Sequence, residues 1–372
     1  MKLSDKGEGM LESALKILEK IEENGFQAYI VGGFVRDYVL GIESNDVDIC
    51  TSARPKDIRS IFKDACLPTD EYGSVTVILK NIRFEITTFR KEQSYSNYRH
   101  PDDVEFIDDL EEDLKRRDFL MNTLCMNRDG EVIDLLGGKE DIEKKQIRTV
   151  GDSSQKFSED ALRILRAVRF ATVLGFTLTD EVKESIFKAK SLLKEISYQR
   201  KREELDRIFT SVNVKIGVSL LLELGLDHEL ELFNLDKVSN FDDLIGVWAQ
   251  LQVSDLYPFT NNEKDLMENI QKALSLNNLN HRVLYTYGLY VNSIAANIKG
   301  ISKKDVTYQY NNLPIHSRAD IVLNGDEISS ILKKNPGAYL KEIFSDLENK
   351  ILSLELENEK EALTSYIQNT YS

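Results

Sequence analysis

The stretch from residue 28 to residue 51 restricts the possible folds more than any other part of the chain. It reads AYIV, then Gly32 and Gly33, then FVRDYVLG and, a few residues later, DVDIC. Apolar runs of these lengths around a glycine pair predict a strand, a tight turn, a helix and a second strand. Arg36 falls in the first turn of that helix, where a guanidinium can bind phosphate oxygens that approach the glycine backbone. The stretch therefore predicts a triphosphate-binding turn.

Two carboxylates lie in the second of these predicted strands. Asp46 and Asp48 flank a single valine, and residues two apart on a strand point to the same side. Because such like charges repel unless a cation lies between them, the pair favours a metal site, and Mg²⁺ is the usual hard cation beside phosphates. Glu85, in the strand RFEIT, supplies a third carboxylate if its strand lies beside the first. Alone, the pair is more often a solvated strand end, but the preceding glycine turn and Arg36 favour a metal site.

The remaining periodicity predicts an α+β chain. The run SVTVILKNIRFEITTF alternates on both sides of Lys80 and Asn81, which predicts a hairpin within a small mixed sheet that carries helices up to about residue 135. From about residue 150 helical periodicity dominates, and Gly175 and Gly225 are placed as stops after apolar helices. We expect a small mixed-sheet domain followed by an all-helical region.

Composition limits the setting in which the protein works. The 372 residues, 41% hydrophobic and 30% charged, are enough for two or more packed domains. The three cysteines are odd in number and widely spaced, which favours a reducing, cytoplasmic compartment over a disulfide framework. The N-terminus reads as an amphipathic helix, and no stretch approaches the ~20 apolar residues of a membrane span. We therefore expect a cytoplasmic protein without membrane contact.

The net charge of −15 counts against a nucleic-acid partner. Binding responds to the local potential, however, because charges are screened within roughly 10 Å at moderate salt. We therefore expect one basic face on an acidic body, built from three clusters: residues 115–117, the arginines at 163, 166 and 169, and residues 200–202.

One predicted helix carries a regular row of charges. In SEDALRILRAVRF, Ser158 is a suitable N-cap, and Asp160, Arg163, Arg166 and Arg169 recur at every third residue. Neighbours in such a row are adjacent on the helix surface. On these residues alone, the ordinary interpretation is a solvated face with Asp160 paired to Arg163.

Several motifs together resemble those of a known family. GGFVRDYVLGIESNDVDICTSARP resembles the signature of the polymerase-β-like nucleotidyltransferases, specifically class II (bacterial) CCA-adding enzymes and bacterial poly(A) polymerases. LEEDLKRRDFLMNTLCMN, DLLGG and FSEDALRILRAVRFATVLGF follow in the family's order, and DIVLNGDEISSILKKNPGAYLKEIF is similar to its C-terminal region. The resemblance implies four domains: a nucleotidyltransferase head at 1–138, a helical nucleotide-selecting neck at 139–210, a helical body at 211–310 and a helical tRNA-binding tail at 311–372.

The resemblance also implies an activity. Such an enzyme adds CCA to the 3′ end of tRNA from CTP and ATP without a template, releases pyrophosphate and grips the tRNA acceptor and T arms. Asp46 and Asp48 would hold two Mg²⁺ ions, with Glu85 as a third catalytic carboxylate. Asp160 and Arg163 would read the base, because cytosine and adenine both present an amino donor beside a ring-nitrogen acceptor.

Further roles follow from matching motif positions. The resemblance assigns Gly33, Arg36 and Arg117 to the triphosphate and places Asp118 and Asn122 near the ribose. Arg166 and Arg169 would hold the adjoining phosphate or position their helix.

Two segments bear on how complete the activity is. RKEQSYSNYRHPDDVEFIDDL resembles the mobile loop of complete CCA-adding enzymes, and its full length favours addition of all three nucleotides. Near residue 200 the family usually has Glu-Arg-Ile, whereas this chain has Gln199, Arg200 and Lys201. A poly(A) polymerase, a CC-only tRNA nucleotidyltransferase and a catalytically silent RNA-binding module remain alternatives. The acidic chain without a basic C-terminal tail disfavours the first, and the intact motifs disfavour the last.

Overall fold

The computed structural model describes residues 4–44, 46–67, 73–92 and 104–371. The chain forms two compact units, Met1–Leu232 and Phe233–Ser372. The division into four domains, with boundaries at 138, 210 and 310, stays a prediction. The α+β class is confirmed: the described strands all lie in the first unit, and the second unit consists of helices and loops where it is described.

The described strands are short, and six of them form one mixed sheet in the order β3-β4-β2-β1-β7-β8. Two further pairs, β5 with β6 and β9 with β10, lie outside it. The strands are β1 Ala28–Val31, β2 Asp48–Thr51, β3 Ser74–Leu79, β4 Ile82–Thr88, β5 Arg90–Glu92, β6 Val104–Phe106, β7 Cys125–Met126, β8 Val132–Ile133, β9 Gln146–Ile147 and β10 Thr177–Leu178.

Helices make up most of the other regular structure in the described chain. The first unit contains α1 Asp5–Glu22, α2 Gly33–Leu40, α3 Pro55–Phe62, α4 Leu110–Lys115, α5 Gly138–Glu143, α6 Ser153–Glu159, α7 Leu162–Leu174, α8 Asp180–Ala189, α9 Tyr198–Phe209, α10 Val214–Glu223 and α11 Leu226–Glu229. The second contains α12 Leu244–Leu251, α13 Asn261–Leu274, α14 His281–Ile298, α15 Lys303–Asn311, α16 Gly325–Leu332, α17 Tyr339–Leu352 and α18 Lys360–Tyr371.

The predicted hairpin is confirmed as β3 and β4, which pair antiparallel from Ser74↔Thr87 to Leu79↔Ile82. Its two turn residues, Lys80 and Asn81, have φ of 49° and 63°. A two-residue loop with both φ values positive is the turn whose twist matches the twist of the flanking strands. Local sequence therefore fixes the register of this edge of the sheet.

The strand that was predicted to carry both aspartates of the carboxylate pair is shorter than predicted. It pairs antiparallel with β1 from Ala28↔Thr51 to Val31↔Asp48, and it begins at Asp48. Pairing ends there because β1 ends at Val31 and Gly32, with φ 81°, turns the chain into α2. Asp46 therefore precedes the strand and does not lie in it.

The helix predicted to start at Ser158 is in fact two helices. α6 ends at Glu159, Asp160 is extended with φ −142° and ψ 103°, and α7 begins at Leu162. Ser158 lies inside α6, where its hydroxyl donates to the Ser154 carbonyl, so the predicted N-cap is wrong. A hydrogen bond stabilises this break between the two helices, because the Asp160 carboxylate accepts from the Leu162 N–H at 3.0 Å.

The predicted glycine stops are confirmed. Gly175, with φ 66°, ends α7, and Gly225, with φ 64°, follows the end of α10. In the second unit, helices α14 to α18 share one core built around Leu284, Leu347 and Ile351. No helix in the described part of the chain is both long enough and apolar enough to span a membrane.

Candidate active site

The sheet brings two of the predicted carboxylates side by side. β2 and β4 run parallel, and Asp48 is the direct register partner of Glu85. Burial raises the pKa of Asp48, the negative charges of Glu85 and Asp46 raise it further, and Arg117 opposes them. Despite this burial, Asp48 still exposes part of its surface to solvent, as Glu85 does, so a ligand has access to both. The strand that carries Glu85 therefore lies beside the strand that carries Asp48, which was the condition for a third carboxylate at this site.

The glycine turn faces the same spot. A Cβ placed on Gly32 would lie 3.6 Å from Arg117 Nη1 and 3.9 Å from Asp48 Oδ2. Glycine keeps this space free and also suits the positive φ. Arg117 Nε is buried and has no hydrogen-bond acceptor among the described residues. The turn, one carboxylate and one arginine thus lie close together.

A buried aspartate that the sequence analysis did not identify holds Arg117 in place. Asp113 is fully buried in α4 and accepts hydrogen bonds from Arg116 Nε at 2.8 Å, Arg117 Nη2 at 3.4 Å and the Arg90 N–H at 3.1 Å. Its spacing of three and four residues before two arginines was the available signal. Burial of the carboxylate with these three donors orients Arg117 relative to β5.

Four other predicted site residues form one continuous chain of hydrogen bonds. Arg36, which is buried, donates from Nη1 to Asn122 Oδ1 at 2.7 Å, and Asn122 Nδ2 donates to Asp118 Oδ1 at 3.2 Å. Arg166 donates to Asp118 Oδ2 from Nε at 2.8 Å and from Nη2 at 2.5 Å. Burial disfavours the charged carboxylate, but Arg166 and Asn122 hold the pKa of Asp118 well below its usual range. The chain links α2, the 3-10 helix at Leu120–Asn122 and α7.

Three of the arginines pack around one aromatic ring. The guanidinium carbons of Arg36, Arg166 and Arg169 lie 5.2, 5.4 and 4.3 Å from the centroid of Phe170. Cations at these distances are attracted by the negative ring face. Arg169 Nε also lies 2.7 Å from Glu204 Oε2, without the alignment of a hydrogen bond. Phe170 was also missed from sequence, because an apolar helix position does not show what packs on it.

Asp160 and Arg163 are joined through the backbone, where the Arg163 N–H donates to the Asp160 carbonyl at 3.0 Å. Arg163 donates to Glu159 Oε2 at 2.7 Å and to the carbonyls of Lys156 and Arg116 at 3.0 and 3.2 Å. The ordinary interpretation, which expects Arg163 to pair with Asp160, did not predict these three partners. The break between α6 and α7 accounts for this, since it removes Asp160 from the helix face that carries Arg163.

The unusual stretch near residue 200 contributes to this arrangement. Arg200 Nη2 lies 3.5 Å from Asp160 Oδ2. Lys201, where an apolar residue is usual, is buried with Nζ 4.4 Å from the centroid of the Tyr198 ring. Of the predicted basic clusters, this one is thus partly internal, and the expected basic face stays a prediction.

The described residues leave the predictions about the long loop and about a metal site untested. Most of the long loop between β5 and β6, residues 93–103, lies outside the described residues, so the inference from its length stays a prediction. Across the described ranges, no three His, Cys, Asp or Glu side chains lie together closely enough to hold a metal ion. The cysteines at positions 50, 66 and 125 are all free, as predicted.

A mixed sheet with a carboxylate pair beside a glycine turn, followed by an arginine-bearing helix, defines a nucleotidyltransferase. Residues 28–148 match the family model described as "Poly A polymerase head domain", and residues 175–232 match the one described as "Probable RNA and SrmB- binding site of polymerase A". Residues 257–367 match tRNA nucleotidyltransferase domain 2.

Relatives that match over nearly their whole length show which nucleotidyltransferase family the chain belongs to. The CCA-adding enzyme of Anoxybacillus flavithermus is 35% identical, over 95% of this chain and 96% of the relative, and that of Bacillus subtilis is 34% identical over 95% and 97%. The chain therefore belongs to the family of CCA-adding enzymes.

Solved structures agree in fold. The CCA-adding enzyme of Bacillus stearothermophilus in complex with CTP matches with a TM-score of 0.84 and 30% identity, over 96% of this chain and 97% of that one. The Thermotoga maritima CCA-adding enzyme complexed with tRNA, at 21% identity and a TM-score of 0.71, covers 98% and 96% and shares the fold.

Proposed function

We propose that this protein adds CCA to the 3′ end of tRNA from CTP and ATP, without a nucleic-acid template and with release of pyrophosphate. The observation that carries the proposal is the register of Asp48 with Glu85 beside Gly32 and Arg117, in a chain that matches CCA-adding enzymes over nearly its whole length. Arg117 Nε, buried without an acceptor among the described residues, suits a site completed by an anionic substrate.

The carboxylates fit a magnesium site. Mg²⁺ is usually bound by one or two carboxylates together with substrate phosphates, so Asp46 and Asp48 do not need a third protein ligand nearby. We assign two Mg²⁺ ions to Asp46 and Asp48, with Glu85 as the adjacent catalytic carboxylate. When bound, such ions stabilise the charge that develops on the attacking and leaving oxygens.

The chain's own residues position the triphosphate. The backbone at Gly33 begins α2, whose N-terminus favours negative charge, and Arg117 supplies a fixed guanidinium beside it. Arg36, hydrogen-bonded to Asn122 and paired with Asp37 at 2.7 Å, lies close to Gly33 at the same helix end. Catalysis then consists of alignment and electrostatic stabilisation, as is general for nucleotidyl and phosphoryl transfer.

Base selection falls to Asp160 and Arg163. Asp160 offers a carboxylate acceptor and Arg163 guanidinium donors, which together match the amino donor and ring-nitrogen acceptor of cytosine and adenine. Uracil and guanine present donors and acceptors in mismatched places. The contact of Arg163 with Glu159 at 2.7 Å supports this role, because a held donor discriminates better than a mobile one.

The remaining predicted residues act around the nucleotide. Asp118 and Asn122 lie near the ribose in this proposal, and Arg166 and Arg169 hold phosphate and fix α7. The helical region grips the acceptor and T arms of tRNA through backbone contacts and shape, as suits an enzyme that serves all tRNAs. We place the reaction in the cytoplasm, in keeping with three free thiols.

The test is a primer-extension assay. Purified protein with Mg²⁺ receives tRNA transcripts that end before CCA, after C or after CC, first with each nucleotide alone and then with CTP and ATP together. Extension that stops at CCA supports the proposal. A long A ladder indicates a poly(A) polymerase, CC alone a partial enzyme, and no extension by folded protein a silent binding module.

A single substitution tests the assignment of the metal ions to Asp46. Asp46→Ala should abolish incorporation while circular dichroism and the unfolding midpoint stay close to those of the wild type, since Asp46 is exposed and precedes β2. Near-normal incorporation by the folded variant would mean that Asp46 holds no essential ion.

A further inference from the structure

Helix α9 lies along α7 and brings a further arginine to the substrate site. Two contacts fix the alignment of the helices: Arg200 lies 3.5 Å from Asp160, and Glu204 lies 2.7 Å from Arg169. Arg200 precedes Glu204 in the chain just as Asp160 precedes Arg169. Helix α9 therefore runs in the same direction as the segment that begins at Asp160 and continues through α7. Residues that follow Glu204 on its face of α9 therefore lie beside or beyond Arg169.

Arg207 is the residue at that position. It follows Glu204 by three residues, so the two side chains are neighbours on one face of α9. Arg207 is exposed, and it forms no ion pair with any residue that the structure describes. Its charge acts on Arg169: burial lowers the pKa of Arg169 to about 10, the negative charge of Glu204 opposes this, and the positive charges of Arg166 and Arg207 contribute to the decrease.

Two arginines at this end of the site each have an acidic partner. Glu204 is the acidic partner of Arg169, and Asp118 is that of Arg166. Arg207 adds a further positive charge on the exposed side of α9, with Glu203 and Asp206 near it in sequence. Arg169 Nε and Glu204 Oε2 are also both buried without a hydrogen bond among the described residues. An anion placed between Arg169 and Arg207 relieves the repulsion and gains donors from two guanidiniums.

This position is continuous with the triphosphate-binding turn. The ring of Phe170 contacts Arg169 on one side and Arg36, in the first turn of α2, on another. A row of guanidiniums therefore runs from the glycine turn through α7 to the outer face of α9. Arginine suits such a row because its planar fork binds phosphate oxygens in pairs.

We propose that Arg207 is a further substrate-binding residue, which together with Arg169 binds a phosphate group. The inference rests on the proposed function and extends it. The phosphate belongs either to the incoming nucleoside triphosphate or to the backbone at the 3′ end of the tRNA, and the experiment separates these sources.

The experiment measures equilibrium binding, which does not depend on turnover. Dissociation constants are determined for CTP and for a tRNA transcript lacking CCA, with the wild type, Arg207→Ala and Arg207→Lys, at several salt concentrations. Arg128→Ala is the matched control: Arg128 is half-exposed in the same unit, lies 3.2 Å from Glu22 and is remote from the arginine row in sequence. It should bind both probes as the wild type does.

We expect Arg207→Ala to weaken one probe about tenfold, because a charge-assisted contact is removed, and Arg207→Lys to recover part of the loss. A loss confined to CTP assigns the phosphate to the nucleotide. A loss confined to tRNA, with the slope of log Kd against log salt reduced by about 0.7 to 1, assigns it to the RNA backbone. Dissociation constants within twofold of the wild type for both probes would overturn the proposal.

Failure of the proposed function gives a different pattern. If the wild-type protein binds both probes but extends no transcript, the assignment as a CCA-adding activity is wrong, whereas the dependence of binding on Arg207 still stands. If extension is normal and binding by Arg207→Ala is also normal, only the role of Arg207 is wrong.

Discussion

Replacing Gly138 with alanine should damage the candidate active site from a distance. Gly138 begins α5, and a Cβ there would lie 2.2 Å from the Leu120 carbonyl oxygen and 3.0 Å from its carbonyl carbon. Both atoms belong to the backbone, so no side-chain rotation relieves the clash. Leu120 begins the short helix that carries Asn122, and its carbonyl accepts hydrogen bonds from the N–H and hydroxyl of Thr123 at 3.0 and 2.7 Å.

The magnitude follows from the shift required. The Cβ–oxygen contact has to lengthen by about 1 Å to reach ordinary van der Waals distance. Overpacking of this kind costs about 1–3 kcal/mol, and weakening the Leu120 hydrogen bonds adds about 1 kcal/mol. We expect the free energy of unfolding to fall by about 2–4 kcal/mol. A shift of this size at Asn122, which links Arg36 to Asp118, can lower kcat/KM by up to about 100-fold.

Urea unfolding and the extension assay measure the two effects. Gly9→Ala is the control, because Gly9 lies in α1 with nothing within 4 Å of its added Cβ. Alanine there should leave activity unchanged and raise stability by up to about 1 kcal/mol through helix propensity. If Gly138→Ala unfolds within about 0.5 kcal/mol of the wild type and is fully active, the reasoning about the carbonyl contact is refuted.

Four further changes test other parts of the site. Asp48→Asn should abolish incorporation yet raise the unfolding midpoint in metal-free buffer, because it removes repulsion from Glu85; an unchanged or lower midpoint would contradict this. Asp160→Ala should lose the preference for CTP and ATP over UTP in single-nucleotide extension, and unchanged discrimination would exclude the base-reading role. Asp118 has a pKa well below its usual range when folded, so its stabilisation is complete above about pH 4 and is lost as pH falls further; Asp118→Asn should flatten the stability profile from pH 4 towards pH 2, and a parallel profile would refute this. A maleimide reagent should label Cys66 before Cys50 in the native protein, since Cys50 is buried and burial raises its pKa well above the usual thiol value; equal labelling, read by mass spectrometry, would contradict this.

The sequence by itself determined the features that depend on neighbours along the chain. The strand, glycine turn and helix at residues 28–40, the hairpin turn at Lys80 and Asn81, and the stops at Gly175 and Gly225 all follow from local backbone preferences. Motif order also determined the family. Local pattern failed where it had to choose a boundary: the alternation through residues 46–50 did not show that β1 ends too early to pair with Asp46.

Only the tertiary structure decided which side chains meet. Whether Glu85 lies beside Asp48 depends on two strands being adjacent and parallel, a pairing set by the whole sheet. Asp160 lies 3.5 Å from Arg200, forty residues away in sequence, and a single extended residue separates it from the helix that it was expected to share with Arg163. Contacts between residues distant in sequence depend on how the elements pack, and the periodicity of one sequence indicates which face of an element is buried but not which element covers it.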